Sequence, residues 1–179
     1  MNIFKWLKSL FRRSRKTRPK KKSVHKIQFA NELLLPMVVS DLEKGKTVTI
    51  NLRGFSMRPF LENDRDKALL TLAKDPQVGD AVLAEIMPKK WVLHRIIAID
   101  GDDVTLRGDG NLGVEHCKIS DVKAKALGFY RKGRDKLDST DGRKWKVYSW
   151  VWTHLYPLRR YLLAFYRRIW LKIFKPEIQ

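Results

Sequence analysis

The sequence predicts a mainly β protein: an antiparallel body led by an N-terminal helix, with basic amphipathic helices at both ends. Three observations predict it. Short runs of alternating apolar and polar residues recur through the middle of the chain, separated by turn signals. The dipeptide Asp100-Gly101 stands between two apolar runs, the strongest short-range signal for a tight hairpin. The net charge of +19 is segregated, since residues 1–26 carry seven Lys and four Arg with no acid and residues 141–179 carry four Lys and five Arg against Asp141 and Glu177, leaving 27–140 almost neutral. A chain of 179 residues with 44% hydrophobic and 11% aromatic content supports one packed core, which excludes a wholly disordered basic tail.

The elements follow in chain order. Met1 to Arg13 reads as a short amphipathic helix, with Ile3, Phe4, Leu7, Leu10 and Phe11 at helical spacing among Lys5, Lys8, Arg12 and Arg13. The run from Arg12 to Lys22 has no period and reads as a solvated linker. Residues 1–26 therefore form one segment. Residues 27–140 form the body. From Ile27 to Glu43 the positions of Ile27, Ala30, Leu34, Val38 and Leu42 approximate a helical stripe, which Pro36 is expected to kink or divide and Gly45 to end. Thr47 to Arg53 alternates strictly, with Val48, Ile50 and Leu52 on one face, and reads as a half-buried strand. Further strands are expected at Lys67 to Ala73, Ala81 to Ile86, Trp91 to Ile99, Asp103 to Arg107 and Ala124 to Arg131. Turn signals at Asp75-Pro76, Gly79-Asp80 and Gly108-Asp109-Gly110 separate them, a cadence that fits an antiparallel sheet and not βαβ units.

Residues 141–179 form the third segment, a basic aromatic helical one. Ten aromatic residues fall between Trp145 and Phe174, interleaved with Arg159, Arg160, Arg167, Arg168 and Lys172. On a helix beginning near Pro157, Leu158, Tyr161, Leu162, Phe165, Ile169 and Ile173 form one stripe. This composition suits a membrane interface, where aromatic rings sit at headgroup level and cations meet anionic lipid. It suits equally a helix packed on the body. Nucleic acid is the weaker candidate partner, because no recognition signature accompanies the basic residues. No apolar run approaches the roughly 20 residues of a membrane-spanning helix, and no signal peptide is read at the N-terminus. The expected location is cytoplasmic, peripheral to the inner membrane face. A single cysteine, Cys117, excludes an internal disulfide, and no metal or cofactor is expected.

The hairpin at Asp100-Gly101 has geometric consequences. With Asp100-Gly101 as its two-residue loop, His94 lies across from Arg107; with Gly101-Asp102, it lies across from Asp109. In either register His94 and Asp109 share a face, unless a bulge intervenes. Trp91, Leu93, Ile97, Ile99, Val104 and Leu106 make the apolar side, which Arg95 interrupts. A histidine with a carboxylate in reach is a candidate acid/base pair. Directly after the alternating strand comes RGFSMRPFLENDRD, where Gly54 frees the backbone and Pro59 constrains it, so that Ser56 sits on a fixed turn. A serine hydroxyl becomes a nucleophile when a neighbouring base takes its proton, and His94 is a residue type able to do so near neutral pH.

Three segments, in order, resemble the serine peptidase clan that unites type I signal peptidases with LexA-like self-cleaving repressors. GFSMRPFL is similar to its nucleophile box, VGDAVLAEI to its Gly-Asp strand, and VLHRIIAIDGDDVTLRGDGN to the box running from the general base to a Gly-Asp-x-Asn turn. The resemblance spans roughly residues 45–130 and implies a mainly β fold in which Ser56 attacks a peptide carbonyl. The usual bacterial members have Lys as the base, whereas His94 occupies that position here, similar to the archaeal and endoplasmic-reticulum signal peptidases. By resemblance, Ser56 is the nucleophile, His94 the general base and Asp109 the orienter of the imidazole, with Asp66 and Asp102 lesser candidates for the third role. A transmembrane anchor, a DNA-binding domain and an Ala-Gly self-cleavage dipeptide are missing, so the nearest likeness is to short, stand-alone LexA-like peptidases. The implied partner is a peptide or protein substrate. The alternative from another class is a non-catalytic module of the same fold that binds membrane, nucleic acid or a partner through its ends. Lys89 and Lys90 read as solvated, the adjacent pair His116-Cys117 as structural, and Met57 and Trp91 as core residues able to line a cleft.

Overall fold

The computed structural model describes residues 31–173. The helix expected at Met1 to Arg13, the basic linker and residues 27–30 lie outside the described residues. An antiparallel sheet of eight strands forms the body. Helix α1 (Asn31–Glu43) comes first and runs unbroken through Pro36. Proline disfavours a helix interior, but Leu35, Val38 and Leu42 are all buried against the sheet, and that burial holds the helix together. Gly45, with φ +80°, then turns the chain away.

The strands are β1 (Val48–Asn51), β2 (Lys67–Leu72), β3 (Ala81–Met87), β4 (Lys90–Asp100), β5 (Asp103–Arg107), β6 (Glu115–Lys118), β7 (Val122–Tyr130) and β8 (Leu137–Ser139). Their spatial order is β1-β2-β7-β3-β4-β5-β6, with β8 beside β7. All pairings are antiparallel. The sheet carries two apolar cores. One gathers α1, β1, β2 and β7 with Met57, Phe60, Leu61 and Trp145; the other holds Val82, Ala84, Ile96, Val104, Leu106 and Val122. The expected mainly β body is therefore what forms, and β6 and β8 are strands the sequence did not signal.

After β8 the chain turns helical: α2 (Arg143–His154), a short 3-10 turn (Tyr156–Leu158), α3 (Arg159–Phe165), a π-helical segment (Tyr166–Trp170) and α4 (Leu171–Ile173). Helix α2 docks through Trp145, Tyr148 and Trp152, spaced three and four residues apart on one face. Phe60 packs against Trp145 and Tyr148. The segment expected either to pack on the body or to face a membrane packs one side on the body, where Leu163 and Arg159 are buried, while Leu158, Tyr161, Leu162, Phe165, Ile169 and Ile173 are exposed. Among the described residues no helix is long and apolar enough to cross a membrane.

The β4–β5 hairpin departs from the expected register. Asp100 pairs with Asp103, so Gly101-Asp102 is the loop, but a bulge at Ile97 shifts the ladder so that Ile96 faces Leu106 and Arg95 faces Arg107. One extra residue reverses the parity of everything before it. Ile96 joins Val104 and Leu106 in the second core in place of Ile97, and His94 falls level with Gly108 instead of Asp109.

Candidate active site

Ser56 lies in the connection between β1 and β2, a loop that is closed on itself. Leu52 N–H donates to Asp66 O and Asp64 N–H to Leu52 O, while Gly54, at φ +89°, donates to Asn63 Oδ1. Met57, Phe60 and Leu61 are buried. They pin the turn into the first core from the residues just after Ser56, so that Ser56 remains partly exposed at the rim on a fixed backbone. Arg58 pairs with Glu62 and covers the Phe55 ring at 4.1 Å.

His94 projects from β4, where it pairs with Val82 of β3, and its side chain is buried. Its Nδ1 lies 3.0 Å from Glu115 Oε2. A carboxylate only accepts, so the neutral ring carries its proton on Nδ1 and leaves Nε2 with a free lone pair. Burial lowers the His94 pKa below 6.5, opposed by the charges of Glu115 and Asp109 and by the Glu115 hydrogen bond. The imidazole is therefore neutral at neutral pH.

His94 Nε2 and the backbone carbonyl of Ser56 come together at Gly108. A Cβ at Gly108 would stand 3.0 Å from His94 Nε2 and 2.5 Å from the Ser56 carbonyl oxygen. Only a residue without a side chain permits that approach. The next turn fastens the two boxes together, since Gly110 N–H donates to Ser56 O at 2.6 Å. Ser56 and His94 both line one cleft of about 110 Å³, walled by Leu52, Met57, Leu61, Trp91 and Leu93. Met57 belongs to the first core and Trp91 packs against it, as expected of core residues, and both also line this cleft.

Asp109 is elsewhere engaged, and the pairing expected between it and His94 does not form. Its two oxygens accept from Arg95 Nε at 3.0 Å and Nη2 at 2.8 Å, and Oδ2 accepts also from the Tyr148 hydroxyl at 3.0 Å. Both ions of the Arg95–Asp109 pair are buried. Burial acts against the Arg95 charge, but Asp109 outweighs it and the pKa is raised. Burial and the Asp109 charge push Tyr148 well above 10, keeping it a neutral donor. Trp152 Nε1 donates to Asp109 O at 2.9 Å, and Arg95 reaches Gly79 O and Ser149 Oγ. Asp109 therefore fastens α2 to the sheet beside the histidine. Asp66 is tied to Arg65 and to the backbone of Glu62 and Lys132, and Asp102 is exposed at the hairpin tip, so neither meets His94.

Glu115 is the residue that sequence reasoning missed. It opens β6, a strand of four residues without apolar alternation, where it pairs with Leu106. The one available signal was that an acid followed the Gly108 to Gly113 turn at a distance that returns the chain alongside β5. Lys89 and Lys90 are exposed. His116 Nδ1 faces Thr105 Oγ1, and burial pushes the Cys117 thiol up. Among the described residues no group of three His, Cys, Asp or Glu side chains is placed to hold a metal.

A buried neutral imidazole, tethered at Nδ1 by Glu115 and lining the same cleft as Ser56, has the chemistry to take a proton from a hydroxyl and later return it. The chain matches no protein-family model, no curated protein and no solved structure.

Proposed function

We propose that the chain is a serine endopeptidase related to the signal peptidase and LexA-like clan, acting through Ser56, His94 and Glu115. The observation that carries this reading is the placement of His94, neutral and buried, with Nδ1 held by Glu115 and Nε2 meeting the Ser56 backbone carbonyl at Gly108. In the proposed reaction, Ser56 Oγ attacks the substrate's peptide carbonyl carbon while its proton passes to His94 Nε2. The imidazolium so formed is stabilised by Glu115. It then protonates the departing amine, and the C–N bond breaks to leave an acyl ester on Ser56. Water, deprotonated by the same Nε2, attacks the ester carbonyl; the bond between the acyl carbon and Ser56 Oγ then breaks, Oγ takes the proton back from Nε2, and the acid is released. Asp109, which the resemblance put in the third role, here serves to hold the turn and helix α2 in place around the histidine.

N-terminal proteomics of cells producing the wild-type chain or Ser56→Ala tests the reading. Cleavage sites present with wild type and missing with Ser56→Ala are expected, and His94→Ala should lose the same sites. Identical sets of N-termini in all three would refute it.

A further inference from the structure

The helical arm that follows α2 has two faces with different duties. Its inner face is bound to the protein: Arg159 donates to Trp152 O, Leu163 is buried, and Arg167 donates to Gly110 O at 2.9 Å. The arm also reaches the turn that holds the Ser56 loop, since Gly110, whose carbonyl Arg167 grips, donates its N–H to Ser56 O. Its outer face carries Leu158, Tyr161, Leu162, Phe165, Ile169 and Ile173, which are 37–67% exposed. Tyr161, Leu162 and Phe165 lie on α3, where steps of three and four residues return to one side, and Leu158, Ile169 and Ile173 continue the exposed row on the 3-10, π-helical and α4 turns that flank it. A contiguous exposed apolar stripe on a folded chain marks a contact surface.

The charge on the arm identifies what meets that stripe. Between residues 156 and 173 every ionisable side chain other than tyrosine is a cation: Arg159, Arg160, Arg167, Arg168 and Lys172. Arg160, Arg168 and Lys172 are exposed and have no acidic partner among the described residues. A second copy of the arm would bring the same positive charge to the contact. Residues 1–26, at seven Lys and four Arg without an acid, would be repelled in the same way. An anionic surface that also accepts apolar side chains satisfies both halves of the pattern.

We infer that the arm from Tyr156 to Ile173 is an interfacial anchor, which lies in the plane of an anionic bilayer with Leu162, Phe165 and Ile169 among the acyl chains and Arg160, Arg168 and Lys172 at the headgroups. Because its inner face grips Gly110, which is bonded to Ser56 O, the docked arm holds the cleft at a fixed height above the lipid. The inference stands on exposure and charge and does not depend on the peptidase reading.

Flotation of the full-length protein with phosphatidylcholine vesicles, alone or mixed with phosphatidylglycerol, tests it. Binding is expected to the mixed vesicles and to weaken as salt rises. L162E/F165E/I169E should lower the partition coefficient by roughly tenfold or more, since three apolar groups leave the interface and three anions enter an anionic one. Retained Tm and circular dichroism will show that this variant folds. R168E/K172E, at two exposed positions, should also lose affinity. Equal flotation of wild type and both variants would overturn the inference. So would flotation indifferent to phosphatidylglycerol, or a wild-type dimer that dissociates in the triple variant while neither protein binds vesicles.

Discussion

Glu115→Gln is the perturbation that bears most directly on the site. Glutamine keeps the length of the side chain and an oxygen able to accept from Nδ1, but it removes the negative charge. The contact is 3.0 Å long, the histidine is buried, and the glutamate side chain is 28% exposed, so the pair is only partly screened. A hydrogen bond to a charged group in such a setting contributes about 1.5–3 kcal/mol. At the pH plateau of the proposed reaction the imidazolium forms only as Ser56 gives up its proton, so the loss of its stabilisation should appear in kcat/KM. The expected decrease is about ten- to a hundredfold at the pH plateau. The pH dependence gives a second, independent readout. Burial lowers the His94 pKa while Glu115 raises it, and removing the charge leaves burial less opposed. His94 must be neutral to act as base, so wild-type activity should fall as pH drops through a value below 6.5, and in Glu115→Gln that fall should come at still lower pH. A cleavage assay on a substrate taken from the proteomic sites, run across the acid range, measures both. Unchanged kcat/KM together with an unmoved acid limb would refute the assignment of Glu115 as the residue that orients and stabilises His94.

Two further substitutions separate structure from chemistry. Asp109→Asn strands the Arg95 guanidinium, which is only 1% exposed, without its carboxylate; the expected cost is about 3–5 kcal/mol, visible as a Tm lowered by roughly 10 °C, with an acid limb displaced less than in Glu115→Gln. A Tm equal to that of wild type would show that the Arg95–Asp109 pair does not hold α2 to the sheet. Gly108→Ala places a methyl group 2.5 Å from the Ser56 carbonyl oxygen and 3.0 Å from His94 Nε2, so the turn must shift and kcat/KM should fall by roughly tenfold or more; full activity would mean that Nε2 and the Ser56 turn do not converge at Gly108.

The sequence made the body legible because most of its strands bury one face, and burial imposes the alternation that Val48, Ile50 and Leu52 display. The segment 141–179 is expected to be helical, and α2 is, but the face on which α2 docks is not legible because the docking residues are aromatic in a stretch already crowded with aromatics, so Trp145, Tyr148 and Trp152 do not stand out from Trp150, which is exposed. The third residue of the site was hidden for a different reason. Inferring that His94 shares a face with Asp109 requires a ladder without interruption, and Ile-Ile-Ala-Ile reads as uninterrupted. The bulge at Ile97 is decided by which isoleucine fills the space beside Val104 and Leu106, a matter of packing across strands distant in sequence. Once Ile96 takes that space, His94 must stand level with Gly108. Asp109 is carried into the interior beside Arg95, and the carboxylate at His94 Nδ1 comes from β6, on the far side of β5. One packing choice thus sets both the core and the identity of the acid, which is why hairpin parity found the histidine's neighbourhood and missed its partner.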